Sequence, residues 1–119
     1  MTMRISEIRD ILDASVLCGE AHLDRIVVGG GGADMMDAVL AAVAEGALLL
    51  TGLTTEQVLR TAKIAGVSAI LFVRGKRPEA SEISLAQTYQ IPLLLTRYSL
   101  FVACGRLYMN GLRGLDGSW

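Results

Sequence analysis

The chain has 119 residues, a length typical of one domain, and its 52% hydrophobic against 19% charged residues exclude a disordered chain. Its 11 basic and 12 acidic residues nearly cancel and aromatic residues are scarce, which argues against nucleic-acid binding. The longest weakly charged stretch, 38–53, is interrupted by Glu45 and Gly46, so no membrane span is expected. On folding, a domain of this size buries roughly two-thirds of the surface that its unfolded chain exposes, which leaves apolar area that a second copy of the chain can cover. The apolar surplus therefore predicts a homodimer.

Helix and strand patterns alternate along the first half of the chain. The segment "ISEIRDILDA" places Ile5, Ile8 and Ile11 on one face of a helix. Next come a short apolar run, "SVLCG", and a predicted strand, "DRIVVGG", that ends in glycines. The segment "ADMMDAVLAAVAEG" then predicts a helix that ends at Gly46.

The second half contains three fully apolar runs that predict buried strands: "ALLL", "SAILFV" and "IPLLLT". The helix after "ALLL" is predicted to begin with a capping box of Thr54 and Gln57 and to end at Gly66. The helix after "SAILFV" is predicted to have Pro78 as its first residue. Ser99 is predicted to cap the last helix, "LFVACGRLYMN".

This order predicts a single α/β domain over 1–110, with a mostly parallel β-sheet flanked by helices. The βαβαβα units are preceded by an N-terminal helix and a short strand. The glycine-rich tail, 111–119, is expected to fray unless Leu112, Leu115 and Trp119 dock on the domain.

Polar and basic residues follow each of the predicted strands. The carboxyl ends of parallel strands meet at one edge of a sheet, where ligands bind and helix N-termini favour negative charge. The pattern is compatible with an anion site for a phosphate-bearing ligand, although polar loops capped by Thr and Ser are typical of any α/β domain. The candidate residues are Thr51, Gly52, Thr54, Thr55, Arg74, Gly75, Lys76, Arg77, Thr96, Arg97, Tyr98 and Ser99.

The glycine run 29–32 has the outline of a phosphate-binding loop between a strand and a helix. It lacks the lysine and the hydroxyl residue of a P-loop, and Asp34 would repel a phosphate and suits a helix N-cap better. We therefore expect a flexible loop that allows close backbone approach.

Charge is distributed unevenly, because residues 1–50 carry a net −5 and residues 51–119 a net +4. Such an asymmetry either marks a binding face or is neutralised within one fold. The acidic, amphipathic N-terminal segment is unlike an export signal, which predicts a cytoplasmic protein with Cys18 and Cys104 as reduced, buried thiols.

No catalytic set is evident in the sequence. His22 lies in a polar segment without a second histidine and is expected to face solvent, and Cys18 has no evident base. We therefore expect no catalytic residue, no metal and no cofactor. An enzyme that uses Cys18 is a third hypothesis.

Four segments together resemble the DRTGG domain family: "VLCGEAHLDR", "EGALLLTGL", "AILFVRGKRP" and "IPLLLTRYSLF". The residues matching the family's name are Asp24, Arg25, Thr51 and Gly52, with Gly75 as the final glycine. The resemblance covers about residues 3–110. The layout is more distantly similar to the N-terminal domain of the HPr kinase/phosphorylase.

The resemblance implies an α/β domain, usually dimeric, that accompanies catalytic or CBS modules. In CBS-containing pyrophosphatases such a domain lies between nucleotide-binding CBS domains, at a site able to take adenosine polyphosphates. Stand-alone copies resemble those encoded among hydrogenase and related anaerobic redox genes. The first hypothesis is therefore a homodimeric, non-catalytic regulatory module that senses an adenine nucleotide or other phosphate ligand in a hydrogenase or redox-enzyme system. The alternative is a structural adaptor that docks on a larger enzyme complex without a small-molecule ligand.

Overall fold

A computed structural model describes residues 2–34 and 45–115 of the chain. Most of the helix predicted over 33–46, including its alanine-rich part, and Trp119 lie outside these ranges.

Seven strands and four helices are described. The strands are β1 (Met3–Arg4), β2 (Ser15–Cys18), β3 (Ile26–Val27), β4 (Gly30–Gly32), β5 (Leu48–Thr51), β6 (Ala69–Phe72) and β7 (Leu93–Leu95). The helices are α1 (Ile5–Ile11), α2 (Glu56–Ala65), α3 (Ala80–Tyr89) and α4 (Leu100–Met109), with a 3₁₀ turn at Glu20–His22.

The main sheet has the strand order β2-β7-β6-β5-β4. Strands β4 to β7 are parallel to one another, and β2 pairs antiparallel with β7 at one edge. Strands β1 and β3 form a separate antiparallel pair. The predicted α/β fold with a mostly parallel sheet is therefore confirmed.

The three apolar runs form the centre of the sheet, because their alternating side chains supply both faces. On one face Leu49, Ile70 and Leu93 pack with α2 and α3. On the other, Leu48 and Leu71 pack with α1 and α4. Every residue of β5 and β6 is buried, as expected for parallel strands covered on both sides.

Two predicted helix boundaries are confirmed. Gly66 ends α2 in the left-handed conformation, with a φ of +75° that glycine adopts without strain. The Ser99 hydroxyl accepts a hydrogen bond of 3.2 Å from the Val102 N–H at the start of α4.

Two predicted helix starts are wrong. Helix α2 begins at Glu56 with Thr55 as its N-cap and no side-chain cap, so Thr54 and Gln57 form no capping box. Pro78 lies two residues before α3, which begins after Glu79. The helix start is held by Glu79 and Glu82 instead: the Glu82 carboxylate accepts from the Glu79 N–H at 2.7 Å, and the Glu82 N–H donates to the Glu79 carbonyl at 3.0 Å.

The glycine run is also different from the prediction, because Gly30–Gly32 is the edge strand β4 and is not a flexible loop. Its backbone pairs in parallel with β5, and this pairing needs no side chains on the glycine strand. The expected close approach is confirmed, since a Cβ on Gly32 would lie 3.0 Å from Cys104 Sγ in α4.

The first part of the tail docks on this edge. The Gly30 N–H donates to the Arg113 carbonyl at 3.0 Å. Leu112 is buried in the core, and Leu115, although 40% exposed, lies against Gly29. The carbonyl and two leucines therefore cover part of the glycine strand.

Candidate functional site

The structure brings the predicted ligand residues to one edge of the sheet, because each follows one of the parallel strands β4 to β7. We call this edge the strand-end site. It comprises Asp34, Thr51, Gly52, Thr54, Thr55, Arg74, Gly75, Lys76, Arg77, Thr96, Arg97, Tyr98 and Ser99.

Asp34 connects the ends of β4 and β5. Its Oδ1 atom accepts a hydrogen bond of 2.7 Å from the Gly52 N–H and one of 3.3 Å from the Thr51 hydroxyl. The Thr51 hydroxyl also accepts from the Leu53 N–H at 3.1 Å, and Thr51 has no exposed surface. The predicted N-cap role of Asp34 concerns residues outside the described ranges. The carboxylate's contact with β5 is a feature that sequence patterns did not predict.

Arg74 is held in an unusual backbone conformation. Its φ of +59° is left-handed, which costs a non-glycine residue about 1–2 kcal/mol. Two hydrogen bonds hold this turn: the Arg74 N–H donates to the Tyr98 carbonyl at 2.8 Å, and the Gly75 N–H donates to the Thr96 carbonyl at 2.9 Å. Gly75 is also left-handed, with a φ of +68°.

The Arg74 guanidinium lies directly on Gly52. A Cβ on Gly52 would overlap Arg74 Nη2, so this contact depends on the absence of a side chain. A side chain at position 52 would therefore displace the flexible end of Arg74, and the turn at Arg74 places a cation beside the end of β5.

Three of the hydroxyl groups expected to bind a ligand, those of Thr51, Thr96 and Ser99, are already bonded within the protein. The buried Thr96 hydroxyl donates to the Leu12 carbonyl at 2.8 Å and accepts from the Tyr98 N–H at 3.3 Å. The Ser99 hydroxyl is used in capping α4. Thr96 and Ser99 thus shape the site, and the side chains that remain available to a ligand are mainly cationic.

Four cations of the site are exposed: Arg74, Lys76, Arg77 and Arg97. None of them has a carboxylate within 4.0 Å among residues 2–34 and 45–115, where the ion pairs are Arg9–Asp10 and Arg60–Glu56. Nearby, the Arg106 guanidinium stacks on the Tyr98 ring at 4.4 Å. Within the described part of the chain, the edge therefore presents to solvent positive charge that no carboxylate pairs.

The family-matching residues do not form one site. Arg25 Nη1 donates to the carbonyls of Ser68 and Gln90, both at 3.1 Å, just before β6 and β7 begin. Thr51 and Gly52 lie at the opposite ends of the strands, a separation on the order of 13 Å for four extended residues. Arg25 therefore joins β3 to α3 and β6, and Asp24 beside it is exposed.

The cysteines lie apart from this site, and both are free thiols. Cys18 is buried and its Sγ donates to the Ile91 carbonyl at 3.7 Å, whereas Cys104 is half-buried in α4. Burial raises the pKa of both thiols above the ordinary value. The expected thiol form is confirmed, and full burial holds for Cys18 alone.

His22, predicted to face solvent, is half-buried and lines a pocket of about 310 Å³ with Cys18. Among the residues that the structure describes, no three His, Cys, Asp or Glu side chains are grouped closely enough to hold a metal ion. Within the same ranges, no helix has the length and apolar content needed to cross a bilayer.

Comparison with known proteins gives one family and one fold. A family model for the DRTGG domain matches residues 7–108. The structure is similar to the crystal structure of the CBS and DRTGG domains of the regulatory region of Clostridium perfringens pyrophosphatase, complexed with its activator, diadenosine tetraphosphate. The TM-score is 0.74 at 20% identity, covering 95% of this chain but 48% of that one, so this chain spans about half of that structure's length. Comparison with curated proteins gives no match.

Proposed function

The chain belongs to the DRTGG domain family, and we propose from this membership and the strand-end site that it is a regulatory module that binds an anionic, phosphate-bearing ligand. The observation that carries the proposal is the group of four exposed cations without carboxylate partners in the described ranges. A phosphate would offset their charge and form charge-assisted hydrogen bonds with Arg74. No catalytic role is proposed for any residue.

We propose an adenine nucleotide as the ligand. Support comes from the structurally similar pyrophosphatase region, which is complexed with diadenosine tetraphosphate. A polyphosphate chain suits a site with several cations, since each additional phosphate brings further negative charge.

Calorimetric titration with ATP, diadenosine tetraphosphate and inorganic triphosphate tests the proposal. Arg74→Ala and Arg97→Ala are each expected to weaken binding about tenfold or more, and Gly52→Ala to weaken it by displacing the guanidinium. Lys63→Ala is the matched control, because it removes one positive charge at the C-terminal end of α2, away from the strand-end site. Absence of binding at millimolar ligand, or equal binding by all variants, would refute the proposal.

We also propose that the module is a homodimer that associates through α4. The outward face of this helix carries Phe101, Val102 and Met109 around Gly105, and Phe101 and Met109 are 87% and 86% exposed. A Cβ on Gly105 would meet no atom within 4 Å, so a second helix could approach closely there. Light scattering at micromolar concentration is expected to give a dimer that Phe101→Glu dissociates, and a monomeric wild-type chain would refute it.

The second candidate function is a structural adaptor, and the same exposed face of α4 favours it. The partner proposed from the family resemblance is a hydrogenase or related redox-enzyme complex in the cytoplasm. Co-purification of such subunits with the wild-type chain, lost on Met109→Glu and independent of triphosphate, would favour the adaptor. Retention of triphosphate binding with no subunit captured would favour the ligand-sensing module.

A further inference from the structure

The strand-end site contains a position for one anionic oxygen. The Gly52 N–H and the Thr51 hydroxyl both donate to a single atom, Asp34 Oδ1. Because Thr51 has no exposed surface, water does not reach it in this arrangement. A buried hydroxyl without an acceptor is costly, so these two donors need an acceptor oxygen at this position.

The cation beside this position is not paired with the carboxylate that occupies it. Arg74 Nη2 contacts Gly52, yet no ion pair joins Arg74 to Asp34 within 4.0 Å. The guanidinium therefore keeps donors for another anion. An anion bound there would lie next to the Gly52 N–H, close to the negative charge of Asp34.

We propose that Asp34 is an internal competitor for the ligand, and that it determines which anions the site accepts. This inference rests on the proposed phosphate-binding function. A ligand phosphate oxygen replaces Asp34 Oδ1 on the Gly52 N–H and the Thr51 hydroxyl, while Arg74 binds the same phosphate. Both donors stay bonded throughout, and the Asp34 carboxylate, which is exposed, is rehydrated.

The competitor selects for multiply charged ligands. A monoanion such as chloride gains too little from Arg74 to displace a carboxylate held by two hydrogen bonds. A triphosphate also reaches Lys76 or Arg97, and that additional attraction offsets the loss of the Asp34 contacts.

The test compares Asp34→Ala, Asp34→Asn and wild type by calorimetry, with inorganic triphosphate and ATP as separate probes at fixed ionic strength. Asp34→Ala is expected to tighten binding of both probes about tenfold, because a charge-assisted contact no longer has to be broken. Asp34→Asn keeps an acceptor oxygen without the charge and is expected to give a gain on the order of threefold. If the Asp34 substitutions tighten the binding of triphosphate but not of ATP, the phosphate chain is the group that is recognised, and Asp34 is still its competitor.

Asp24→Ala is the control, since it removes the same charge from an exposed position next to Arg25, at the far end of the strands. It is expected to change the affinity less than about twofold, because salt screens charges over this distance. The Gly52 amide resonance gives a second measurement. It is expected to shift when triphosphate is added to the wild-type chain and to shift in ligand-free Asp34→Ala.

The outcomes separate this inference from the function on which it rests. If the wild-type chain binds triphosphate through Arg74 but Asp34→Ala and Asp34→Asn bind no tighter, the competitor role is refuted and the binding function stands. If Asp34→Ala binds and the wild type does not, the competitor role stands and binding by the wild type is refuted. If no variant binds, both are refuted. Should Asp34→Ala fail to fold, Asp34→Asn decides by the same criteria.

Discussion

Substitution of Arg25 tests whether a residue that matches the family name stabilises the fold or binds the ligand. In the Arg25→Ala variant the carbonyls of Ser68 and Gln90 each lose a guanidinium hydrogen bond of 3.1 Å. A bond to a charged group contributes about 1.5–3 kcal/mol, but the Gln90 carbonyl is exposed and water replaces the donor there. We therefore expect a loss of about 2 kcal/mol in the free energy of unfolding. For a domain of this size that lowers Tm by about 8 °C.

Urea unfolding and calorimetry measure this loss, and Arg25→Lys is the informative comparison. A lysine ammonium keeps the charge but has no planar guanidinium to donate to two carbonyls from one group, so it should recover less than half of the stability. Arg60→Ala, which breaks only an exposed pair with Glu56, should cost below about 0.5 kcal/mol. The reasoning is refuted if Arg25→Ala keeps wild-type stability and instead loses triphosphate binding.

Two further predictions concern the docked tail and the two cysteines. Gly29→Ala places a Cβ 2.8 Å from the Arg113 carbonyl and 2.6 Å from Leu115 Cγ, so it should displace the tail and cost about 1–3 kcal/mol; unchanged hydrogen exchange at the Gly30 amide would contradict this. Burial raises the pKa of the Cys18 and Cys104 thiols, so the folded state holds their protons more tightly than the unfolded chain. Stability from this source is complete below about pH 8.5 and is lost as the pH rises further. The free energies of unfolding of wild type and Cys18→Ala, measured by denaturant titration, should therefore approach each other as the pH rises from neutral to alkaline. A difference that stays constant with pH would refute this prediction.

The central strands were predictable because their sequence alone requires burial. Four-residue apolar runs such as "ALLL" and "AILF" leave no polar face, so they suit only a sheet covered on both sides. The glycine strand was not predictable in this way. Glycine has low strand propensity, and β4 exists because β5 supplies hydrogen bonds and α4 needs the space of the missing side chains.

The location of the candidate site was predictable, but the use of its hydroxyl groups was not. Parallel strands place their carboxyl ends together, which is a property of the topology. The Thr96 hydroxyl, by contrast, is bonded to Leu12, a residue 84 positions away in the sequence. The Thr51 hydroxyl is bonded to Asp34, which the sequence pattern assigned to a helix start. Side-chain partners at such separations depend on the packed fold, and local patterns carry no signal of them.

These internal bonds narrow the chemistry of the proposed ligand. Neutral sugars and bases are recognised by hydroxyl and amide groups that both donate and accept hydrogen bonds. In the described part of the strand-end site, the hydroxyls of Thr51, Thr96 and Ser99 are already bonded within the protein. Arg74, Lys76 and Arg97 have donors to offer but no acceptors. The Thr54 and Thr55 hydroxyls make no such bond among the described residues, but the four exposed cations outnumber them. The site therefore favours a ligand for its negative charge, and we expect inorganic triphosphate to retain most of the affinity of ATP, whereas adenosine should not bind. Binding of adenosine alone would refute this order of recognition.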